Sequence, residues 1–218
     1  MSIPQSSTYL AEVVRELQKT WPENRTVRIA CHGHSVPAGY FATPYVNTLE
    51  AYPHRLHAAL KGLFPCAVLN VIVTAIGGEH SVDGAKRFER DVLALRPDVV
   101  TIDYSLNDRV VGLDVSREAW ESMIRAAMEA GSRILLLTPT HDLTQQPDRP
   151  ADDGEPLRQH AEQVRQLAEG FGVGLVDSFA AFQEYQRDLQ DLLAWCNHPN
   201  ERGHGLVVRE LLKWFPFA

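Results

Sequence analysis

Cysteine is scarce in this chain, which has only Cys31, Cys66 and Cys196 among its 218 residues. An odd number of widely spaced cysteines excludes a disulfide framework as the basis of the fold. Long apolar runs are also missing. No stretch reaches the roughly 20 residues that a transmembrane helix needs, and residues 1–20 lack the continuous apolar segment of a secretory signal. We therefore expect a cytoplasmic protein whose core needs no cross-links.

Positively charged residues are outnumbered. The chain has 21 Lys and Arg residues but 28 Asp and Glu residues, so its formal net charge is −7. Nucleic acids and anionic membranes bind basic surfaces, so this balance argues against both as partners. A chain of this length suits one large α/β domain or two small ones, and no segment has the composition of a linker. We predict a single domain over residues 1–218, with an N-terminal helix at about 7–19 packed on it. The sequence does not determine the oligomeric state.

Short β-branched runs alternate with segments that carry apolar residues at helical spacing. The predicted strands are residues 27–31, 67–74, 98–104, 133–137 and 173–176. Regular alternation of strands and helices predicts a parallel sheet covered by helices on both faces. The β-branched run at 67–74 is typical of a strand buried on both faces. The polar, proline-bearing segment 143–154 is predicted to be a long surface loop, and the sequence leaves open whether it is a lid.

Three polar or small residues follow predicted strands at the edge where parallel α/β sheets bind ligands. Ser35 follows the first strand, Gly78 the second and Asn107 the third, and His198 lies in a turn near the C-terminus. A serine in a turn is by itself more often a helix cap than a nucleophile. Together with a histidine that could accept its proton, however, this set of residues fits acyl transfer.

Four short motifs carry a family resemblance. They are Gly33-His34-Ser35, Ile76-Gly77-Gly78, Ser105-Leu106-Asn107-Asp108 and Trp195-Cys196-Asn197-His198-Pro199-Asn200. In this order the motifs resemble those of the SGNH hydrolase superfamily, also called the GDSL lipases and esterases. The resemblance implies a flavodoxin-like three-layer α/β/α sandwich with a five-stranded parallel sheet.

The resemblance also implies a serine esterase without metal or other cofactor. Ser35 would be the nucleophile and His198 the base, and the Ser35 and Gly78 N–H groups with the Asn107 amide would form the oxyanion hole. The expected substrate is a small-molecule or carbohydrate ester with a short acyl group, foremost acetyl. The alternatives are a lysophospholipase or thioesterase acting on longer acyl chains, and a ligand-binding protein that has lost activity.

The chain departs from the family pattern at two positions. His34 replaces the aspartate of the Gly-Asp-Ser motif, and Trp195 replaces the acid three residues before the histidine. An acid in a serine triad fixes the tautomer of the histidine, and its loss can cost about 10⁴ in rate. The Trp195 backbone carbonyl could orient His198 instead, Asp191 could replace the acid, or activity could be lost. We favour the carbonyl, which makes Ser35 and His198 a dyad.

Three further residues are candidate substrate contacts because they lie near the predicted site. They are His34, Glu79 and His141. Each also has a structural alternative: a hydrogen-bonded buried histidine, a helix cap and a polar loop residue, respectively. His32, His34 and Cys31 lack a second Cys/His pair at zinc spacing, so we expect no metal site.

Overall fold

A computed structural model describes residues 2–146, 150–185 and 187–217, with the backbone alone for 151–153. Its five strands pair in parallel in the order β2-β1-β3-β4-β5. They are β1 (Thr26–Gly33), β2 (Val68–Val73), β3 (Val99–Asp103), β4 (Arg133–Leu137) and β5 (Gly174–Val176). This is the flavodoxin-like strand order, and the predicted fold class is confirmed.

Helices cover both faces of the sheet. They are α1 (Ser6–Tyr9), α2 (Ala11–Gln18), α3 (Ser35–Ala38), α4 (Tyr52–Leu63), α5 (Ser81–Asp91), α6 (Ser105–Asp108), α7 (Leu113–Glu129), α8 (Ala151–Phe171), α9 (Ser178–Gln183) and α10 (Glu201–Leu212). Strand residues alternate between two buried clusters, as the pleat requires. Val99 and Leu135 pack toward α2, α4 and α10, whereas Val100 and Ile134 pack toward α5 and α7.

The prediction that the second strand is buried on both faces is wrong. Strand β2 lies at the edge of the sheet, and Val68 is 47% exposed. The β-branched run reflects strand propensity, while the exposure follows from the strand order, which local sequence does not encode.

The segment predicted as a loop at 143–154 is shorter than expected. A 3₁₀ turn spans Leu143–Gln145 and α8 already begins at Ala151, with Pro156 inside it. Residues 147–149 of the predicted loop lie outside the described residues. The polar, proline-bearing sequence favoured a loop up to residue 154, but the helix begins directly after Pro150, and Pro156 removes only one helical hydrogen bond donor.

In the ranges that the structure describes, no helix combines the length and the apolar character that crossing a membrane requires.

Candidate active site

The turn after β1 places Ser35 at the carboxyl edge of the sheet. Strand β1 ends at Gly33, where a Cβ atom would lie 2.4 Å from the Asp103 carbonyl oxygen, so only glycine permits this close approach of β1 and β3. The His34 side chain then caps α3 by accepting the Val36 N–H. Ser35 is the first residue of α3, where backbone N–H groups have no partner within the helix.

The structure brings Ser35 and His198 into direct contact. The Ser35 Oγ lies 2.9 Å from the His198 Nε2, and each residue is only 6% exposed. Asn200 holds the loop before α10, because its side chain accepts the Arg202 and Gly203 N–H groups and donates to the Asp191 carbonyl. The serine and histidine that the motifs predicted are therefore hydrogen-bonded neighbours.

The second nitrogen of the His198 ring, Nδ1, lies 2.9 Å from the Phe41 carbonyl oxygen. A carbonyl only accepts hydrogen bonds, so the ring proton of neutral His198 is on Nδ1. The Nε2 lone pair then faces the Ser35 hydroxyl, which is the arrangement that a general base needs.

The expectation that the Trp195 carbonyl orients His198 is wrong, because Phe41 occupies that role. Trp195 instead donates its N–H to the His198 carbonyl at 3.3 Å, and its side chain is 51% exposed. The Phe41 carbonyl reaches the site because Phe41 pairs with Tyr45 in the segment that follows the nucleophile turn. A backbone carbonyl leaves no signature in a sequence, so pattern alone could not identify it.

Asp191 does not contact His198 either. Its carboxylate accepts a hydrogen bond from the Tyr185 hydroxyl at 3.4 Å, and its carbonyl binds Asn200. We therefore expect Asp191→Ala to keep kcat within about tenfold of the wild-type value, because a lost triad acid costs about 10⁴ and this carboxylate does not serve as one. Steady-state hydrolysis of an acetyl ester measures the effect. A loss near 10⁴ would show that Asp191 moves to His198 during turnover.

The two remaining motif residues follow β2 and β3, the neighbours of β1. Gly78 has a φ of +79°, a conformation that favours glycine, and a Cβ there would meet nothing within 4 Å. The Asn107 Nδ2 donates one hydrogen to the Glu79 carbonyl at 2.9 Å. An amide nitrogen has two such hydrogens. The bond to Glu79 therefore fixes the Asn107 side chain and leaves its second hydrogen to bind another acceptor.

Asp108, the next residue of the motif, fixes the turn that carries Asn107 through two buried hydrogen bonds. Its carboxylate accepts the Ser81 N–H and the Trp120 indole N–H, both at 2.7 Å. These bonds tie the start of α5 and the middle of α7 to α6. The turn that carries Asn107 is thus held by groups that are themselves buried in the core.

The three candidate substrate contacts are all turned toward protein groups. Glu79 accepts from the Arg87 Nε and from the Tyr104 hydroxyl, each at 2.7 Å. His141 is buried beside Phe179, with ring centroids 4.4 Å apart, and burial lowers the pKa of His141 to about 4. His34 is 1% exposed. The structure therefore favours a structural role for each of them over a substrate contact.

The environment of His198 keeps its ring neutral. Burial lowers the pKa of His198, the Phe41 carbonyl raises it, and nearby His34 lowers it, so that the pKa lies below the ordinary imidazole value. A base must be unprotonated to accept the Ser35 proton. The site thus holds His198 in its proton-accepting form at neutral pH.

Comparison with known proteins places this geometry among ester hydrolases. Residues 31–206 match the model of the GDSL-like lipase/acylhydrolase family. An acetylxylan esterase of Geobacillus stearothermophilus is 29% identical over 176 residues, which cover 72% of this chain and 77% of the relative. A crystal structure of an acetylxylan esterase from that organism superposes with a TM-score of 0.75 at 25% identity, covering 88% of this chain and 95% of that one.

A further solved structure shows similarity of fold. It is an α/β hydrolase from the metagenome of Lake Arreo in Spain, with a TM-score of 0.74 at 23% identity, covering 87% of this chain and 94% of that one. Catalytic mutants of the Geobacillus enzyme replace a serine, a histidine and an aspartate by alanine, and that aspartate precedes the histidine by three positions. Three positions before His198, this chain has Trp195.

Proposed function

This chain belongs to the GDSL-like lipase/acylhydrolase family, and we propose that it removes acetyl groups from carbohydrate esters through Ser35 and His198. The observation that carries the proposal is the 2.9 Å contact between the Ser35 Oγ and an unprotonated His198 Nε2, with the Phe41 carbonyl behind the ring. A protein that only bound its ligand would have no need of a base aimed at a buried hydroxyl.

The reaction follows from this geometry. The Ser35 Oγ gives its proton to His198 Nε2 and attacks the ester carbonyl carbon. The oxyanion of the tetrahedral intermediate receives hydrogen bonds from the Ser35 and Gly78 N–H groups and from the Asn107 amide. The His198 imidazolium returns the proton to the departing alcohol. Water, activated by His198, then attacks the acyl-enzyme and releases the carboxylic acid.

We propose that Tyr40 limits the acyl group beside Ser35. The Tyr40 ring lies 6.1 Å from the His198 ring, measured between centroids. It also covers Gly77, where an added Cβ would lie 2.8 Å from the Tyr40 ring. A ring in contact with both the base and the glycine loop restricts the space for an acyl chain. This supports an acetyl group over the longer chains of a lysophospholipase or thioesterase substrate.

The acetylxylan esterase relative supports a carbohydrate as the alcohol part of the ester. Trp195 is consistent with such a substrate, because it presents an exposed aromatic ring on the same loop as His198. An exposed aromatic ring offers apolar contact area together with a polar edge. Trp195 stands three residues before His198, where the family pattern has an acid. Acetylated xylo-oligosaccharides are therefore the first carbohydrate substrates to test.

The pH dependence follows from the lowered pKa of His198. Neutral His198 is the active form, so kcat/KM rises with pH through that pKa and then reaches a plateau. We expect the midpoint of the acidic limb below about 6.5, the value of an unperturbed histidine. Initial rates on an acetyl ester between pH 4.5 and 8 measure it. A midpoint above 7 would mean that another group controls the rate.

Two measurements test the proposed function. A fluorophosphonate probe followed by peptide mass spectrometry reports whether Ser35 is an activated nucleophile, with His198→Ala as the control that should lose labelling. Rates on acetyl, butyryl and octanoyl esters of one alcohol, and acetate release from acetylated xylo-oligosaccharides, then define the substrate. Labelling with preference for acetyl supports the proposal. Faster octanoyl hydrolysis favours a longer-chain acylhydrolase, and absence of labelling favours a binding protein.

A further inference from the structure

A second imidazole and a buried carboxylate lie next to the nucleophile, although the dyad itself has no acid. We propose that Asp103 and His34 form a positioning pair that holds Ser35 for reaction with His198. This inference rests on the proposed function, since it concerns the reactivity of Ser35. It assigns a role to the residue that replaces the aspartate of the Gly-Asp-Ser motif, and to a carboxylate outside the four motifs.

The hydrogen bonds of His34 fix which of its nitrogens carries the proton. Its Nδ1 accepts the Val36 N–H at 3.2 Å, so Nδ1 is unprotonated and the proton of the neutral ring is on Nε2. That Nε2 lies 3.4 Å from the Asp103 Oδ1. The Nδ1 in turn lies 3.4 Å from the Ser35 Oγ. Because the Ser35 hydroxyl gives its one proton to His198, His34 acts on Ser35 through the N-terminus of α3 that it caps and by its contact with the Oγ.

Burial separates this pair from substrate and solvent. His34 is 1% and Asp103 is 4% exposed, so neither side chain is available to bind a ligand. A carboxylate removed from water needs donors around it. The buried His34 Nε2, Tyr52 hydroxyl and Thr101 hydroxyl all lack a regular hydrogen bond among the described residues, and the Asp103 Oδ1 lies 3.4 Å from the first of them. Burial, and after it the charge of Asp103, raises the pKa of Tyr52.

The replacement of aspartate by His34 explains why Asp103 is needed. An aspartate could accept the Val36 N–H with one oxygen, as N-cap residues do. An imidazole can do the same with Nδ1, but its other nitrogen then carries a proton into the protein interior, where it requires an acceptor. Asp103, at the end of the neighbouring strand β3, is the carboxylate that faces this nitrogen, with its Oδ1 at 3.4 Å. The Asp103 carboxylate thereby orients the His34 ring, which caps α3 and flanks the Ser35 hydroxyl.

A double-mutant cycle of His34→Asn, Asp103→Asn and the double variant tests the pair. Asparagine at position 34 can still accept the Val36 N–H, but it is too short to reach Asp103. We expect each single variant to lower kcat and the rate of fluorophosphonate labelling at Ser35 by about 10- to 100-fold, with KM nearly unchanged, because small displacements of reacting groups have effects of this size. The double variant should be no slower than the slower single variant, since the two residues act as one unit.

Asp98→Asn is the matched control, because Asp98 precedes the same strand at its opposite end and accepts the Arg28 N–H there. It should change thermal stability but not kcat. If Asp103→Asn behaves like this control, or if the losses of the two single variants multiply in the double variant, the inference is wrong. Thermal unfolding confirms that each variant is folded.

A reciprocal variant keeps the inference testable if either asparagine variant fails to fold. His34→Asp sets a second carboxylate beside Asp103, and like charges in a buried site repel. We expect His34→Asp to be at least 10-fold slower than His34→Asp combined with Asp103→Asn; equal rates overturn the inference. Slow acetyl ester hydrolysis with normal Ser35 labelling would contradict only the proposed substrate. Absence of labelling in the wild type would contradict both proposals.

Discussion

Ser35→Ala is expected to lower kcat for an acetyl ester by roughly 10⁴ to 10⁵. In a complete serine triad, loss of the nucleophile costs about 2 × 10⁶. Part of that rate belongs to the acid, whose removal alone costs about 10⁴. His198 has the Phe41 carbonyl at 2.9 Å in place of an acid. A carbonyl fixes the tautomer of His198 but supplies no full charge. The rate enhancement that depends on Ser35 is therefore smaller here than in a complete triad.

His198→Ala is the companion variant, and it should lose nearly the same factor. Because the Ser35 Oγ and His198 Nε2 act on one proton, the double variant should be no slower than either single variant. Ser122→Ala is the matched control, since the Ser122 hydroxyl donates to the Ala119 carbonyl within α7. Ser35→Ala activity within tenfold of wild type, in a folded protein, would exclude Ser35 as the nucleophile.

Local patterns in the sequence were sufficient for the fold class and for the contact between Ser35 and His198. The pleat of β3 sends Val99 and Val100 to opposite clusters, and such alternation is encoded residue by residue. Three of the four motifs lie at strand ends, so parallel pairing of β1 with β2 and β3 collects them at one edge, and the loop before α10 brings His198 to the same place. Periodicity and motif order can be read from short stretches of sequence. The pairing of the strands then brings the motif residues together in one site.

The features that the sequence did not predict depend on contacts between distant residues. The acceptor behind His198 is a backbone oxygen 157 positions away, and every residue carries such an atom. Glu79 turns inward because the guanidinium of Arg87, in the following helix α5, donates hydrogen bonds to its carboxylate. The exposure of Val68 follows from the place of β2 at the sheet edge. A charged pair eight residues apart was visible in the sequence, but its burial was not.

Asn107→Ala is the second variant with a large expected effect. We expect kcat to fall by about 10² to 10³, because removal of one oxyanion donor costs about 2.7–4 kcal/mol of barrier. The donor acts on the charge that develops in the tetrahedral intermediate, so KM should change little. Steady-state kinetics on an acetyl ester separate the two parameters.

The same side chain also has a structural bond, which the control must take into account. The Asn107 Nδ2 binds the Glu79 carbonyl at 2.9 Å, so its loss destabilises the loop after β2. Asn24→Ala removes a comparable bond, from Asn24 Nδ2 to the Cys66 carbonyl at 3.0 Å, away from the four motifs. Each variant should lose about 1 kcal/mol of stability, but only Asn107→Ala should lose kcat. If kcat of Asn107→Ala equals that of wild type, Asn107 is a loop anchor and the oxyanion is held by backbone N–H groups.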